Sequence, residues 1–354
     1  MNIILDDIIF SLQRSGGIST YWSELTRRLD PDEVHHVDSS GKSANLFTAE
    51  RDIDSTRLIP GSKLPVRLRR YLPVNDRVSA PHIFHSSYYR YSTSRSALNV
   101  STVYDFVYEL FRDGLAQHMH HWQKSAAVAH STAVICISKS TMEDFHHFYP
   151  HFRGKVKMIY IGISEDYRIL PDVEKKQQVL FVGERSGYKN FGAVVDAVAL
   201  LRRYSLAIGG GKELNGAERE KLDARLLGRY THFHSISNER LNILYNESHC
   251  LAYPSSYEGF GIPVGEAMKA GCPVVAGSAP ALAEVGGDAA LYLKAATGRQ
   301  IADAILSLEE GNRRADLIRK GEKYASQFSW DRTAKKTKEL YEELLGDSKK
   351  KEHT

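Results

Sequence analysis

Short apolar runs recur along the chain, each closed by a glycine or a polar loop and followed by a longer stretch with helical spacing. In the first half the runs fall at residues 2–5, 82–85, 100–103, 133–137 and 156–159. A polar stretch from Gly162 to Gln178 interrupts the rhythm, which then restarts at 179–182, 205–208, 249–253, 274–276 and 290–293. Helices are expected at 19–29, where Tyr21, Trp22, Leu25 and Leu29 share a stripe, and at 191–204. Strands alternating with helices predict parallel sheets with crossover helices. The break predicts an α/β protein of two Rossmann-like domains facing a cleft, with ligands at the carboxyl ends of the strands. The expected domains are 1–165, joined by a returning helix at about 328–345, and 166–327, with 346–354 a disordered tail.

Composition narrows the function classes. A chain of 354 residues, 42% apolar and 25% charged, suits two soluble domains. No apolar run approaches the roughly 18 residues of a membrane span. The N-terminus places acids Asp6 and Asp7 where a signal peptide stays apolar, so a cytoplasmic protein is expected, either free or at the inner face of the membrane. Cys136, Cys250 and Cys272 are odd in number and far apart, as reduced core residues are. A net charge of +4 does not call for nucleic acid. The charge is uneven, however: between residues 61 and 95 seven bases stand against Asp76 alone, interleaved with Leu64, Val66, Leu68, Tyr71 and Leu72. Such a segment suits peripheral contact with an anionic membrane, or equally a solvated helix face beside a loop.

The densest chemistry lies in residues 254–273. Pro263 favours a helix start, and Gly271 with Pro273 marks its end. Gly259 and Gly261 let backbone approach a ligand just before that start, where N–H groups and the helix dipole favour a phosphate. Glu258 precedes the turn and Glu266 lies one turn inside, so two carboxylates flank the anion position. A nucleotide sugar carries vicinal hydroxyls at both of its ends and a diphosphate between them.

The run Tyr257-Glu258-Gly259-Phe260-Gly261-Ile262-Pro263 through Glu266 resembles the E-x7-E signature of glycosyltransferase family 4, which includes bacterial surface-polysaccharide mannosyltransferases. Further likeness is spread over nearly the whole chain, including Ser15-Gly16-Gly17-Ile18, Thr102-Val103-Tyr104-Asp105, Phe181-Val182-Gly183-Glu184-Arg185 and Tyr188-Lys189-Asn190. The resemblance implies the GT-B fold and a retaining, metal-independent enzyme with no cofactor beyond its nucleotide-sugar donor. It implies that Glu258 meets the donor sugar and Glu266 the ribose. Arg185 and Lys189 would neutralise the departing diphosphate, Gly16 and Gly17 would approach the same phosphates, and Gly259, Phe260, Gly261 and Ile262 would line the nucleotide. Cations or N–H donors at the leaving oxygens are what such a departure requires.

Two positions depart from the family pattern. Glu184 stands where the family commonly has arginine, which shifts Arg185 by one, and Tyr104 stands where it often has histidine facing the sugar. Asp105 suits holding or deprotonating an acceptor hydroxyl, or capping the turn after its strand. Asp52-Ile53-Asp54 has a metal-binding form but sits in a polar stretch and reads as surface loop. The histidines at 118, 120, 121, 146 and 147 read as solvated helix faces. The expected reaction is transfer of a hexosyl unit, with GDP-mannose the favoured donor, to a glycan or lipid-linked acceptor in surface polysaccharide assembly. The rivals are a nucleotide-sugar epimerase of the same fold and a non-catalytic glycan-binding scaffold.

Overall fold

A computed structural model describes residues 1–37, 45–48, 53–185 and 187–352. Asp52 of the discounted Asp-Ile-Asp element lies outside them. The chain divides into two compact units. The first is Met1–Gly162 with the chain from Trp330 onward, and the second is Ile163–Ser329.

The first unit is built on seven parallel strands: β1 (Ile3–Asp6), β2 (Val34–Val37), β3 (Leu58–Ile59), β4 (His82–Ser86), β5 (Ala97–Val103), β6 (Ala133–Cys136) and β7 (Lys155–Met158). Their order across the sheet is β3-β2-β1-β4-β5-β6-β7. Ile3, Ile4 and Leu5 of β1 and Ile83 and Phe84 of β4 are fully buried, as central parallel strands covered on both faces must be. The second unit has six: β8 (Gln178–Val182), β9 (Ser205–Gly209), β10 (Tyr230–Phe233), β11 (Cys250–Tyr253), β12 (Val274–Ala276) and β13 (Ala290–Tyr292). Their order is β10-β9-β8-β11-β12-β13, again all parallel. Each sheet is doubly wound and reverses direction once, between β1 and β4 in the first unit and between β8 and β11 in the second. These are the two halves of the GT-B fold.

Three strands, β2, β3 and β10, had no counterpart in the apolar pattern. They lie on the outer side of their sheets and read VHHV, LI and YTHF, with too few consecutive apolar residues to stand out. The C-terminal region also differs from expectation. Residues 346–352 are not a loose tail but the end of one helix, Trp330–Glu352. Its Lys- and Glu-rich sequence favours helix, and Lys155 at the sheet edge pairs with both Glu343 and Asp347, at 2.7 and 3.3 Å. This helix is fastened to the first unit by Tyr341, whose hydroxyl lies 2.5 Å from Nδ1 of buried His85. His85 Nε2 meets Thr102 Oγ1 at 2.9 Å, and burial pushes the imidazole pKa down to about 3, so the ring is held neutral.

The basic segment does not lie open along its length. Arg69 and Arg90 are buried. Arg90 pairs with Asp6 at the end of β1 at 2.8 Å, and Arg69 donates to the carbonyl of Ser62. Lys63, Arg67, Arg77 and Arg95 remain exposed. His120 likewise departs from the solvated reading. It is buried, stacked 4.0 Å from the ring of Tyr108, whereas His118 and His121 are exposed.

Candidate functional site

In the second unit the reversal between β8 and β11 brings two loops together at the carboxyl ends of neighbouring strands, where open α/β sheets bind ligands. The loop after β8 runs through Gly183 and Arg185 to a 3₁₀ turn at Gly187–Lys189. Asn190, in the left-handed region at φ 52°, then turns the chain into the helix Phe191–Leu200. That loop is sewn to the one after β11. The Asn190 amide donates to the Pro254 carbonyl at 2.9 Å, and the backbone N–H and hydroxyl of Ser256 both donate to the Tyr188 carbonyl at 2.9 Å.

The stitching sets Lys189 against Glu258. Lys189 Nζ lies 2.7 Å from a Glu258 carboxylate oxygen and donates to the Tyr253 hydroxyl at 2.8 Å. Both members of the pair are largely covered, at 12% and 13% exposure. Burial alone would discharge the ammonium, but Tyr253 and Glu258 outweigh it and hold the pKa well above the usual lysine range. Burial and the nearby Glu258 carboxylate push the Tyr253 phenol up in turn. The centre is therefore a fixed positive charge with one acid and one neutral hydroxyl on it.

Arg185 sits on the other side of Gly183. A Cβ at Gly183 would stand 3.9 Å from the Lys189 ammonium, and one at Gly211 would stand 2.8 Å from Arg185 Nη1. Arg185 is held by Glu218 at 2.8 Å and donates to the Lys212 carbonyl at 2.8 Å. Its Nη1 is buried without an acceptor among the described residues. Glu218 is also the third residue of the helix Gly216–Leu226 and completes a capping box with Asn215. The Arg185 hydrogen bond holds its carboxyl below the usual range. One arginine donor thus lies beside Gly211 with no acceptor among the described residues.

Beside this cluster the helix Ile262–Lys269 begins, with Pro263 in its first turn and no side chain capping its N–H groups. Gly261 precedes it at φ 103°, and a Cβ there would come within 2.6 Å of Leu282. Only glycine accepts both the left-handed backbone and that approach. The helix ends as its sequence predicts: Gly271 adopts φ 65°, and Cys272 N–H bonds the Ala267 carbonyl at 2.8 Å. Phe260 is buried with its ring edge-on to Phe328, and Ile262 is half-buried at the first turn. Gly259 bridges the acid to this turn.

Glu266, one turn inside, is half-buried and receives the Tyr245 hydroxyl at 2.9 Å, with Tyr167 as a second phenol partner. Burial lifts its carboxyl to about 7 against these two lowering bonds. Glu258 and Glu266 therefore bracket the helix start in different settings: one is paired with a lysine, the other is raised by burial and accepts hydrogen bonds from phenols.

The remaining sequence-predicted residues belong to the first unit. Gly16 caps the helix Gly17–Thr26, its carbonyl receiving Thr20 N–H at 2.9 Å, and a Cβ there would strike Gln13 at 2.5 Å. Gly17 is exposed at that helix start. Tyr104 and Asp105 follow β5. Tyr104 is buried, its hydroxyl donating to the Ser87 carbonyl at 3.3 Å. Asp105 braces the turn after β5: its carboxylate accepts Val107 N–H at 3.0 Å and its carbonyl accepts Lys124 Nζ at 2.8 Å.

Sequence reasoning did not single out Tyr253, Tyr245, Tyr167 or Glu218. Tyr253 was within reach, because it is the last residue of an apolar run and so stands at a strand's carboxyl end. Glu218 is legible as the acid three residues after Asn215. Tyr245 and Tyr167 carry no local signal, since only folding brings them to Glu266.

Comparison with known proteins agrees with this fold. Residues 163–324 match the family model described as glycosyl transferases group 1, which is nearly all of the second unit. The O-antigen chain mannosyltransferase RfbU of Salmonella typhimurium is 26% identical over 234 residues, covering 65% of each chain. O-antigen chain mannosyltransferase B of Escherichia coli is 29% identical over 234 residues, covering 60% of each. The chain thus spans about three-fifths to two-thirds of the length of these relatives. Among solved structures, a sucrose-phosphate synthase from Thermosynechococcus elongatus superposes with TM-score 0.74 at 19% identity, over 98% of this chain and 99% of the other. Anabaena Alr3699/HepE in complex with UDP and glucose superposes with TM-score 0.72 at 15% identity, over 96% of this chain and 99% of that one.

Proposed function

Because nearly all of the second unit matches the model of the group 1 glycosyl transferases, we propose that the protein moves a hexosyl unit from a nucleoside-diphosphate sugar to a hydroxyl of a glycan or lipid-linked acceptor. The observation that carries this reading is the Lys189–Glu258–Tyr253 cluster beside the start of the helix Ile262–Lys269. A diphosphate laid on the helix start meets N–H donors, the Lys189 ammonium and the spare Arg185 donor. Charge that develops on the leaving oxygens is then stabilised by groups already in place, and oriented donors of this kind are worth on the order of 10²–10³ in rate.

Glu258 accepts sugar hydroxyls when Lys189 turns to the phosphate, and Glu266 accepts the ribose hydroxyls in place of Tyr245. The carboxylates around the site are each engaged, Glu258 by Lys189, Glu218 by Arg185 and Glu266 by Tyr245. A same-face path, in which the departing phosphate takes the acceptor proton and the anomeric configuration is kept, suits these residues. The residues at hand supply positive charge without a metal ion.

The named relatives favour mannosyl transfer in O-antigen assembly, and on that basis GDP-mannose is the favoured donor. The first experiment is a thermal-shift panel of GDP, UDP, ADP and dTDP, followed by acceptor-dependent transfer with the matching sugar. Stabilisation by GDP with mannosyl transfer is expected. A response to none of the four would favour a non-catalytic scaffold, and sugar epimerisation without an acceptor would favour the epimerase.

A further inference from the structure

The helix Leu115–His130 of the first unit is inside out over its first half. Its buried face carries His120, Gln123 and Lys124, the last fully buried, while Leu115, Met119 and Trp122 form an i, i+4, i+7 stripe facing solvent. Leu115 is 78% exposed and Trp122 54%. Hydrogen bonds hold this rotation. Lys124 Nζ donates to the Asp105 carbonyl at 2.8 Å and to Glu109 at 2.9 Å, and Gln123 donates to the Arg70 carbonyl at 2.7 Å. The helix cannot roll its leucine and tryptophan inward without unmaking a buried ion pair, whose remnant would be an unpaired buried charge.

The same Gln123 bond and the Tyr71–Trp122 ring contact at 6.5 Å lay the segment 62–72 against this stripe. That segment adds exposed Leu64, Leu68 (58%) and Leu72. The short helix Val107–Phe111, just before the stripe, adds Leu110 and Phe111. A single-sided apolar face of this extent on one unit is not ordinary surface. Its charged members are chiefly Lys63, Arg67 and Arg112, all exposed, with Arg70 half-buried over the Tyr71 and Tyr88 rings and Asp113 the one exposed acid.

We propose that this face seats the first unit on the surface of an anionic phospholipid bilayer. The leucines, the methionine and Trp122 enter the interfacial layer, and the bases meet lipid phosphates. Tryptophan is the side chain favoured at that depth. The charge argues for lipid against a second copy, since pairing this face with itself would set bases against bases. It also narrows the contact surface within the basic segment: residues 62–72 belong to it, whereas Arg90 turns inward to Asp6. The proposal stands on the first unit alone and does not rest on the donor-site reading.

The test is vesicle flotation of the full chain with phosphatidylcholine vesicles, with and without phosphatidylglycerol. The protein is expected to float with the anionic vesicles and to release as salt rises. A Leu115→Ser/Trp122→Ser variant and a Lys63→Glu/Arg67→Glu variant should each lose binding by about tenfold or more. Both should keep the wild-type melting temperature and the wild-type response to nucleotide, which separates this outcome from any failure of the donor site. Absence of flotation, equal flotation by both variants, or a concentration-dependent dimer that the variants abolish would overturn the proposal.

Discussion

The Lys189 ammonium stands 2.7 Å from the Glu258 carboxylate, and the two residues come from loops that follow neighbouring strands at the reversal of the second sheet. Neither can be removed without leaving the other covered and unpaired. Lys189→Ala should cut transfer by on the order of 10²–10³ and weaken nucleoside-diphosphate binding more than nucleoside-monophosphate binding. Glu258→Ala should abolish transfer while nucleotide-induced thermal shifts persist. Wild-type transfer in Glu258→Ala would remove the role assigned to that acid.

Gly261 offers a second test. At φ 103° with Leu282 within 2.6 Å of any Cβ, Gly261→Ala combines left-handed strain with a clash. Strain of this type costs about 1–3 kcal/mol. The expected result is a lower unfolding midpoint and loss of nucleotide binding, because relieving the clash shifts the helix start. Retained binding at wild-type affinity would show that the start of this helix does not hold the ligand.

Glu266 makes the site pH-dependent. Its carboxyl titrates near 4.5 in the unfolded chain and at about 7 when folded, raised chiefly by burial. Between those values the folded state binds more protons, so this group's contribution to stability falls as pH rises from about 4.5 to about 7. Measured against Glu266→Gln, which cannot titrate, the wild type should lose relative stability across that window and change no further above it. Nucleotide affinity should run the other way and strengthen through pH 7, because ribose hydroxyls donate to the carboxylate form. Parallel pH profiles for the two proteins would refute both expectations.

Tyr341→Phe tests the fastening of the last helix. It removes the hydroxyl that meets His85 and leaves a buried ring nitrogen without its partner. The cost should be about 1–3 kcal/mol, read as a lower denaturant midpoint with an unchanged slope. A midpoint equal to that of the wild type would mean the bond contributes nothing net.

Much of this was legible in the chain itself, for identifiable reasons. Central strands such as β8 and β11 are buried on both faces and show as unbroken apolar runs, and Gly261, Pro263 and Gly271 punctuate a helix that the backbone can form in only one place. Strands β2, β3 and β10 escaped because an outer strand alternates with polar residues or is too short to show a period. The pairing of Lys189 with Glu258 and of Arg185 with Glu218 spans 69 and 33 residues, and no spacing rule foretells such a partner. His120 was misread for a related reason: the helix that carries it is turned by Lys124 and Gln123, whose partners lie elsewhere in the fold.

The last helix has a consequence for how the molecule comes to exist. The first unit is written in two pieces of the gene, with the whole second unit between them, and its closing contact joins His85 to Tyr341 across 256 positions. During synthesis the second unit, contiguous from Ile163 to Ser329, is complete before the first can be. Until Tyr341 has been made, His85 Nδ1 in the earlier-made segment lacks the partner it has in the folded unit. Truncation after residue 329 should therefore damage the beginning of the protein more than the middle.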